Sequence, residues 1–345
     1  MENVVVIGGG PAGLKAAAEL RSLGLDVALV EKAGVLGGTP VQEKFALLAP
    51  ELRPAEEVVG ALVKAVQQDG VQVHLNSTVT AVAGQGKDFT LTVQNGKGEE
   101  RLQAGAVIIA TGYEHFDPSV KPEYGYGVFP DVITSAQLEG MLSDGKVVRP
   151  SNGQVPKKVA ILQCIGSRDA QVERKYCCRV GCVVASKQAV ELRQKYPDMQ
   201  VYIFYMDIRT YGRGFEELYW KAQDDFGVRF IRGRGAEVRR RGDELLLKAE
   251  ETLKARASET PFDMVVLTVG MGPSEGTKAM ASLFGLPVAE DGFVEPADRM
   301  LAPVSTKAAG VFVAGTALGP KDIEDAALEG AAAALRAAAY LKGGK

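Results

Sequence analysis

The chain opens on an apolar run, Val4-Val5-Val6-Ile7, with no polar residue at alternate places. An unbroken β-branched run suits a strand buried on both faces of a parallel sheet. Leu14, Ala17, Ala18 and Leu20 then recur at helical spacing, and Gly24 supplies a stop. Val27-Ala28-Leu29-Val30 reads as a second buried strand, so a β–α–β unit starts almost at residue 1. Between 71 and 100 the period changes to two. Val71-Gln72-Val73-His74-Leu75 and Phe89-Thr90-Leu91-Thr92-Val93 alternate, with Asn95-Gly96 at a turn, which predicts antiparallel strands. Val107-Ile108-Ile109-Ala110 returns to the buried pattern.

Near residue 145 the chain turns polar, through Arg149, Pro150, Ser151, Asn152, Gly153 and Pro156, and this marks a boundary. A second α/β series follows: a strand at Val159-Ala160-Ile161-Leu162, a helix from Val183 to Leu192 and a strand from Val201 to Tyr205. A helix near 215–226 and short strands at 228–231 and 244–248 lead to Met264-Val265-Val266-Leu267. Val311-Phe312-Val313-Ala314 is the last buried strand before an alanine-rich helix. The fold class is α/β with Rossmann-type sheets. The expected organisation is a dinucleotide-binding domain made of residues 1–145 and 275–345, with a second α/β domain, 146–274, inserted between them.

Composition narrows the classes. The sum of 40 basic and 43 acidic residues is −3, so no global basic field recruits nucleic acid. With 46% apolar and 24% charged residues, disorder is excluded as the dominant state. Forty glycines in 345 residues is about 12%, against roughly 7% on average, and points to tight or ligand-hugging turns. No apolar run of about 18 residues predicts a membrane span. Met1-Glu2-Asn3 lacks a basic leader, so the default location is cytoplasmic. His74 and His115 are the only histidines, which leaves little material for histidine acid–base chemistry. Arg229, Arg232, Arg234, Arg239, Arg240 and Arg241 read as a solvated, charge-rich hairpin rather than a docking patch.

Gly8-x-Gly10-x-x-Gly13 follows a buried strand and opens a helix through Pro11 and Ala12. Gly8 permits the turn, Gly10 lets a diphosphate approach the backbone, and Gly13 lets helix and strand pack closely. The helix N-terminus then offers N–H groups and a positive dipole end. Glu31 ends the second strand, at the position where an acid would bond ribose hydroxyls. Strand, glycines, helix and acid agree on dinucleotide binding.

Three further segments resemble the flavoproteins built from two dinucleotide-binding domains, the thioredoxin-reductase and disulfide-oxidoreductase type. Gly37-Gly38-Thr39, just after Lys32, resembles their glycine-rich loop, and Ala110-Thr111-Gly112 resembles their inter-domain turn. Thr306 to Gly315 resembles their second FAD motif, departing at Thr316, where the superfamily usually carries Asp. The resemblance implies FAD. Asp322 caps the last helix, and the resemblance places that helix start, with Ile323, at the flavin, with Lys321 close by to tune it. Val79 completes the cofactor-binding set that this resemblance implies.

All four cysteines lie in one segment: Cys164, in Gln163-Cys164-Ile165-Gly166-Ser167-Arg168-Asp169, and Cys177, Cys178 and Cys182, in Tyr176-Cys177-Cys178-Arg179-Val180-Gly181-Cys182. Four thiolates are the usual number for one iron–sulfur cube. A zinc site also takes four but usually as Cys-x₂₋₄-Cys pairs, and free or redox-active thiols, including a vicinal Cys177–Cys178 disulfide, remain open. Cys164 ends the strand that opens the second domain, where an NAD(P)H-dependent relative would carry another Gly-x-Gly-x-x-Gly.

These two segments, together with Asp207-Ile-Arg-Thr-Tyr-Gly-Arg-Gly214, Gly319-Pro-Lys-Asp-Ile323, Glu123-Tyr-Gly-Tyr-Gly127 and Val132-Ile-Thr-Ser135, closely resemble the flavoprotein A subunits of heterodisulfide reductases. The resemblance covers nearly the whole chain. The larger methanogen subunits carry extra ferredoxin-like regions, so this chain is similar to the short form of the heterodisulfide-reductase-like sulfur-oxidation systems. It implies a cytoplasmic homodimeric electron-transfer subunit with FAD and a 4Fe–4S cluster on Cys164, Cys177, Cys178 and Cys182. The implied partners are reductase-like B and C subunits and a lipoate-binding protein carrying sulfur. The family pattern Tyr-Cys-Ser-x-x-Cys-Cys is broken twice, with Cys178 in the serine's place and Gly181 in a cysteine's place. Two rival expectations are a self-contained NAD(P)H-dependent disulfide oxidoreductase and a docking subunit that binds FAD without turnover.

Overall fold

The computed structural model describes residues 3–68 and 70–343. The chain folds into two compact units, Met1–Gln42, Glu56–Glu114 and Gly272–Lys345 forming the first and Glu43–Ala55 and His115–Met271 the second. In the first, five parallel strands run in the order Val311–Val313, Ala106–Ile109, Asn3–Ile7, Asp26–Val30 and Gln72–His74. Asn3–Ile7 is central, and its two sets of alternate side chains enter different cores. Val4 and Val6 pack with Leu14, Leu20, Ala334 and Ala337 from the helices Pro11–Ser22 and Ile323–Leu341. Val5 and Ile7 pack with Phe89, Leu91 and Val93 of an antiparallel three-stranded sheet. Burial on both faces explains the absence of alternation in this run.

One strand differs from the sequence expectation. Asp88–Asn95 is antiparallel as predicted, but its partners are Ser77–Gln85 and Gly98–Ala104. Gln72–His74 is instead the parallel edge strand beside Asp26–Val30. Alternation reports that one face meets water, which an edge strand satisfies in either direction.

The second unit repeats the plan, with five parallel strands in the order Val132–Thr134, Met264–Val269, Lys158–Ile165, Gln200–Tyr205 and Arg229–Arg232. Residues 115–145, read from sequence with the first domain, lie in this unit, since Val132–Thr134 is a strand of its sheet. The polar stretch at 149–156 is a turn within the unit. Arg149 Nη2 reaches Asp131 Oδ2 at 2.9 Å, both side chains being only 7% exposed, and Ser151 Oγ donates to the same oxygen at 2.7 Å. A buried ion pair made its composition look like a linker's. The arginine-rich stretch supplies the edge strand Gly235–Arg241, on which Arg239, Arg240 and Arg241 are exposed, a charged edge that resists further pairing.

Candidate functional site

The three glycines of the first unit's cradle are required for different reasons. Gly8 leaves the strand at φ +112°, and a Cβ there would stand 2.2 Å from the Ala110 carbonyl oxygen. On Gly13 a Cβ would stand 1.8 Å from the Gly8 carbonyl oxygen. Gly10 is different: a Cβ there would meet nothing closer than Gly38 Cα at 3.8 Å. It is also the N-cap of Pro11–Ser22, extended and without a side-chain cap, and Pro11 has no N–H to satisfy. Open space at an uncapped helix N-terminus is a place for an anion. The residues present therefore fit a dinucleotide diphosphate.

Glu31 is 5% exposed and grips the loops around that space, Oε2 accepting from Gly9 N at 2.6 Å and Oε1 from Ala33 N at 2.7 Å. Its spare lone pairs leave it able to take a ribose hydroxyl as well. Gly37 N donates to Gly9 O at 2.8 Å, and Gly38, at φ +63°, would bring a Cβ to 2.8 Å from Gly10 Cα. Thr39 begins a short helix, Thr39–Gln42, and Lys32 is exposed. Ala110 N is tied to Ile7 O at 2.8 Å, Thr111 Oγ1 lies 2.8 Å from Thr277 Oγ1, and Gly112 turns at φ +78°. Val79 is packed in the core with Val5 and Ile7.

The last helix returns to the same place. Gly315, at φ +69°, would bring a Cβ to 2.7 Å from Ala12 Cβ. Asp322 accepts from Asp325 N at 2.8 Å and caps Ile323–Leu341. Two residues that sequence reasoning missed hold this end together. Glu329 Oε2 accepts from Gly315 N at 2.9 Å and pairs with the buried Lys321. A Cβ on Gly330 would stand 2.2 Å from the Ala12 carbonyl oxygen. The available signal was a glycine inside an alanine run, a choice that sacrifices helix propensity and so asks for a packing reason.

In the second unit, Cys164, Cys177, Cys178 and Cys182 line one pocket together with Arg168, Arg179, Arg209 and Asp207, whose carboxylate pairs with Arg168 at 2.7 Å. The sequence grouped these four thiols, and the fold brings all of them together. The backbone is unusual here: Cys164, Arg168 and Arg179 have φ of +63°, +53° and +60°. Such conformations cost about 1–3 kcal/mol each and collect at functional sites. Cys164 sits at a register shift between Leu162 and Ile165, and a Cβ on Gly166 would stand 2.0 Å from the Phe116 ring. All four cysteines are free, so Cys177 and Cys178 form no vicinal disulfide.

Each thiol feels a different environment. The hydrogen bond from Cys178, helped by the Arg179 N–H and the Arg209 guanidinium, holds Cys177 down at about 5 against burial. That same bond, with burial, pushes Cys178 well up. Burial raises Cys182 to about 11 and raises Cys164 too. Arg179 N donates to Cys177 Sγ at 3.3 Å, and Cys182 Sγ donates to Gln163 Oε1 at 3.3 Å. Gln163 Nε2 is a buried donor without a partner among the described residues. Four sulfurs, three arginines against one carboxylate and an N–H donor left over at Gln163 fit an anionic iron–sulfur group. Among the described residues, no three His, Cys, Asp or Glu side chains are grouped to hold a single metal ion.

The histidines pair with carboxylates elsewhere, His74 with Glu100 at 2.6 Å and His115 with Glu43 at 2.9 Å. Among the described residues, no helix is long and apolar enough to cross a membrane.

A family model described as pyridine nucleotide-disulphide oxidoreductase matches residues 2–337. The chain belongs to this oxidoreductase family. Thioredoxin reductases from Lactococcus lactis and T. acidophilum share its fold, with TM-scores of 0.68 and 0.67 at 20% and 19% identity, each alignment covering 99% of this chain and, respectively, 100% and 99% of theirs. The resemblance to heterodisulfide reductase A subunits is borne out. Over 246 residues, 70% of this chain, it is 46% identical to the A subunit of the H(2):CoB-CoM heterodisulfide,ferredoxin reductase of Methanothermobacter thermautotrophicus. It is 44% identical over 250 residues to an iron-sulfur A subunit of the CoB--CoM heterodisulfide reductase of Methanopyrus kandleri, again over 70% of this chain. The chain spans well under half the length of these relatives, 37% and 38% respectively.

Proposed function

We propose that this member of the family binds FAD in the first unit and a 4Fe–4S cluster in the second, and transfers electrons as the A-type subunit of a heterodisulfide-reductase-like complex. The observation that carries it is the four-cysteine pocket at the end of Lys158–Ile165, where a second nucleotide cradle would stand. Bound there, the two cofactors supply the electron-carrying chemistry. The chain's own part is to hold and insulate them. The Pro11–Ser22 N-terminus takes the diphosphate, Glu31 orders the loops and offers an acceptor to ribose, and Gly37, Gly38, Ala110, Thr111, Gly112 and Gly315 allow close approach. Lys321, kept buried and paired by Glu329, is the residue assigned to tune the flavin, with Asp322 and Ile323 presenting the helix end. Cys164, Cys177, Cys178 and Cys182 hold the cluster, and the surrounding arginines offset its charge.

By the same reading the protein is a cytoplasmic homodimer working with B- and C-type subunits, in sulfur oxidation through a lipoate-binding protein. A self-contained NAD(P)H-dependent reductase would need a second phosphate cradle, and Cys164 and the single Gly166 leave no such glycine pattern. Anaerobic reconstitution with iron, sulfide and FAD, followed by analysis, tests the assignment. About four irons per chain are expected, as for one cube, together with bound FAD. Flavin-loaded protein that takes up no iron contradicts it, and rapid flavin bleaching by NADH would favour the rival.

A further inference from the structure

We propose that positions 178 and 181 are two mounts for one sulfur: the Cys178 Sγ fills the space into which a side chain at 181 would project, and Gly181 is bare because that space is taken. The inference rests on the cluster-binding reading of the pocket. Helix Gly181–Lys195 starts at residue 181, and its N-cap, Val180, makes no side-chain cap. Immediately before it the chain doubles back. Val180 N donates to Cys178 O at 2.7 Å, and Arg179 between them has φ +60°. A three-residue turn with a positive central φ is rare and strained for a side chain other than glycine. It brings the buried Cys178 side chain to the helix start. A Cβ built on Gly181 would stand 2.9 Å from Cys178 Sγ and 3.2 Å from Thr268 Cγ2.

A sulfur one C–S bond beyond that Cβ, in the rotamer directed at Cys178, would lie far inside contact distance of the existing sulfur. The pocket therefore has room for one sulfur at this point. Cys177 already accepts a hydrogen bond from Cys178, so the shared point also adjoins its neighbouring ligand. The two breaks in the family pattern, Cys178 and Gly181, then become a single transposition that leaves the fourth ligand in place.

The test is the transposed double variant, Cys178→Ser with Gly181→Cys, prepared as the full chain and reconstituted anaerobically. Iron and acid-labile sulfide report the site, and bound flavin reports folding. Cys178→Ser alone should keep flavin and lose most of its iron, and the double variant should recover the wild-type iron content. A flavin-loaded double variant as poor in iron as Cys178→Ser overturns the inference. Should the double variant not fold, Gly181→Ala decides: its methyl displaces a sulfur that cannot yield while bound, so iron falls with flavin retained, and unchanged iron overturns the inference. A wild type that takes up no iron defeats the cluster reading itself. The mount is then read from a crystal structure of the metal-free double variant. There, the introduced thiol sulfur at position 181 lying where Cys178 Sγ lies in the wild type supports it, and any other position overturns it.

Discussion

Gly330→Ala sets two physical effects against each other inside one helix. In an exposed helix interior, alanine is better than glycine by about 1 kcal/mol. Here the added Cβ would stand 2.2 Å from the Ala12 carbonyl oxygen and 3.0 Å from its carbon. To restore an ordinary 3.4 Å contact, Ile323–Leu341 must move from Pro11–Ser22 by about 1.2 Å. The obstacle is backbone, not a side chain that can rotate. Overpacking of this kind costs typically 1–3 kcal/mol, and the upper end applies when nothing can swing aside. The net expectation is destabilisation by about 2 kcal/mol. Because Ala12 lies in the first turn of the cradle helix, flavin affinity should fall as well. Urea unfolding of the flavin-free chain and fluorescence titration with FAD measure the two effects. A variant as stable as the wild type or more so, with unchanged FAD affinity, would refute the steric argument and leave helix propensity as the controlling term.

Glu31→Gln replaces one of two accepting oxygens with an NH₂, leaving Gly9 N or Ala33 N facing a donor; a loss of about 1–3 kcal/mol is expected, read by thermal unfolding and by weaker FAD binding. Glu329→Gln removes a charge partner of buried Lys321 from a pair whose carboxylate is partly exposed, and should destabilise by about 1–3 kcal/mol, with a shifted flavin potential measured by spectroelectrochemistry if Lys321 tunes the flavin. Asp169 is buried, which pushes its carboxyl up, yet hydrogen bonds from Lys121, Gln171 N and Arg234 hold it below the ordinary 3.8. Its contribution is therefore present above about pH 4 and is lost as pH falls through the depressed value. Asp169→Asn should cost about 3 kcal/mol at pH 7, and urea unfolding should show the gap from wild type closing below pH 4.

Legibility in the sequence followed the range of the interaction. Gly8, Gly10, Gly13 and Glu31 were readable because the cradle is built from one short β–α–β segment whose residues meet their neighbours in sequence. The cysteines were readable for the same reason, lying within a single strand–loop–helix passage. Gly330 was not, because its partner Ala12 sits on a helix at the other end of the chain; Glu329 was not, because its partners Gly315 and Lys321, though only 14 and 8 residues away, are met through the loop before the helix, which periodicity does not show. The polar 149–156 stretch looked like a linker because composition does not show that Arg149 finds Asp131. Nor could alternation at 72–74 distinguish a parallel edge strand from an antiparallel one.

The most direct test of the central claim is the low-temperature paramagnetic-resonance spectrum of the anaerobically reconstituted protein, recorded before and after reduction alongside the visible spectrum. Flavin absorbance is expected together with a broader iron–sulfur band that bleaches on reduction, and with a reduced-cluster resonance that is lost in Cys164→Ser while flavin remains. A yellow protein whose only redox-active species is flavin, unchanged by Cys164→Ser, would contradict it.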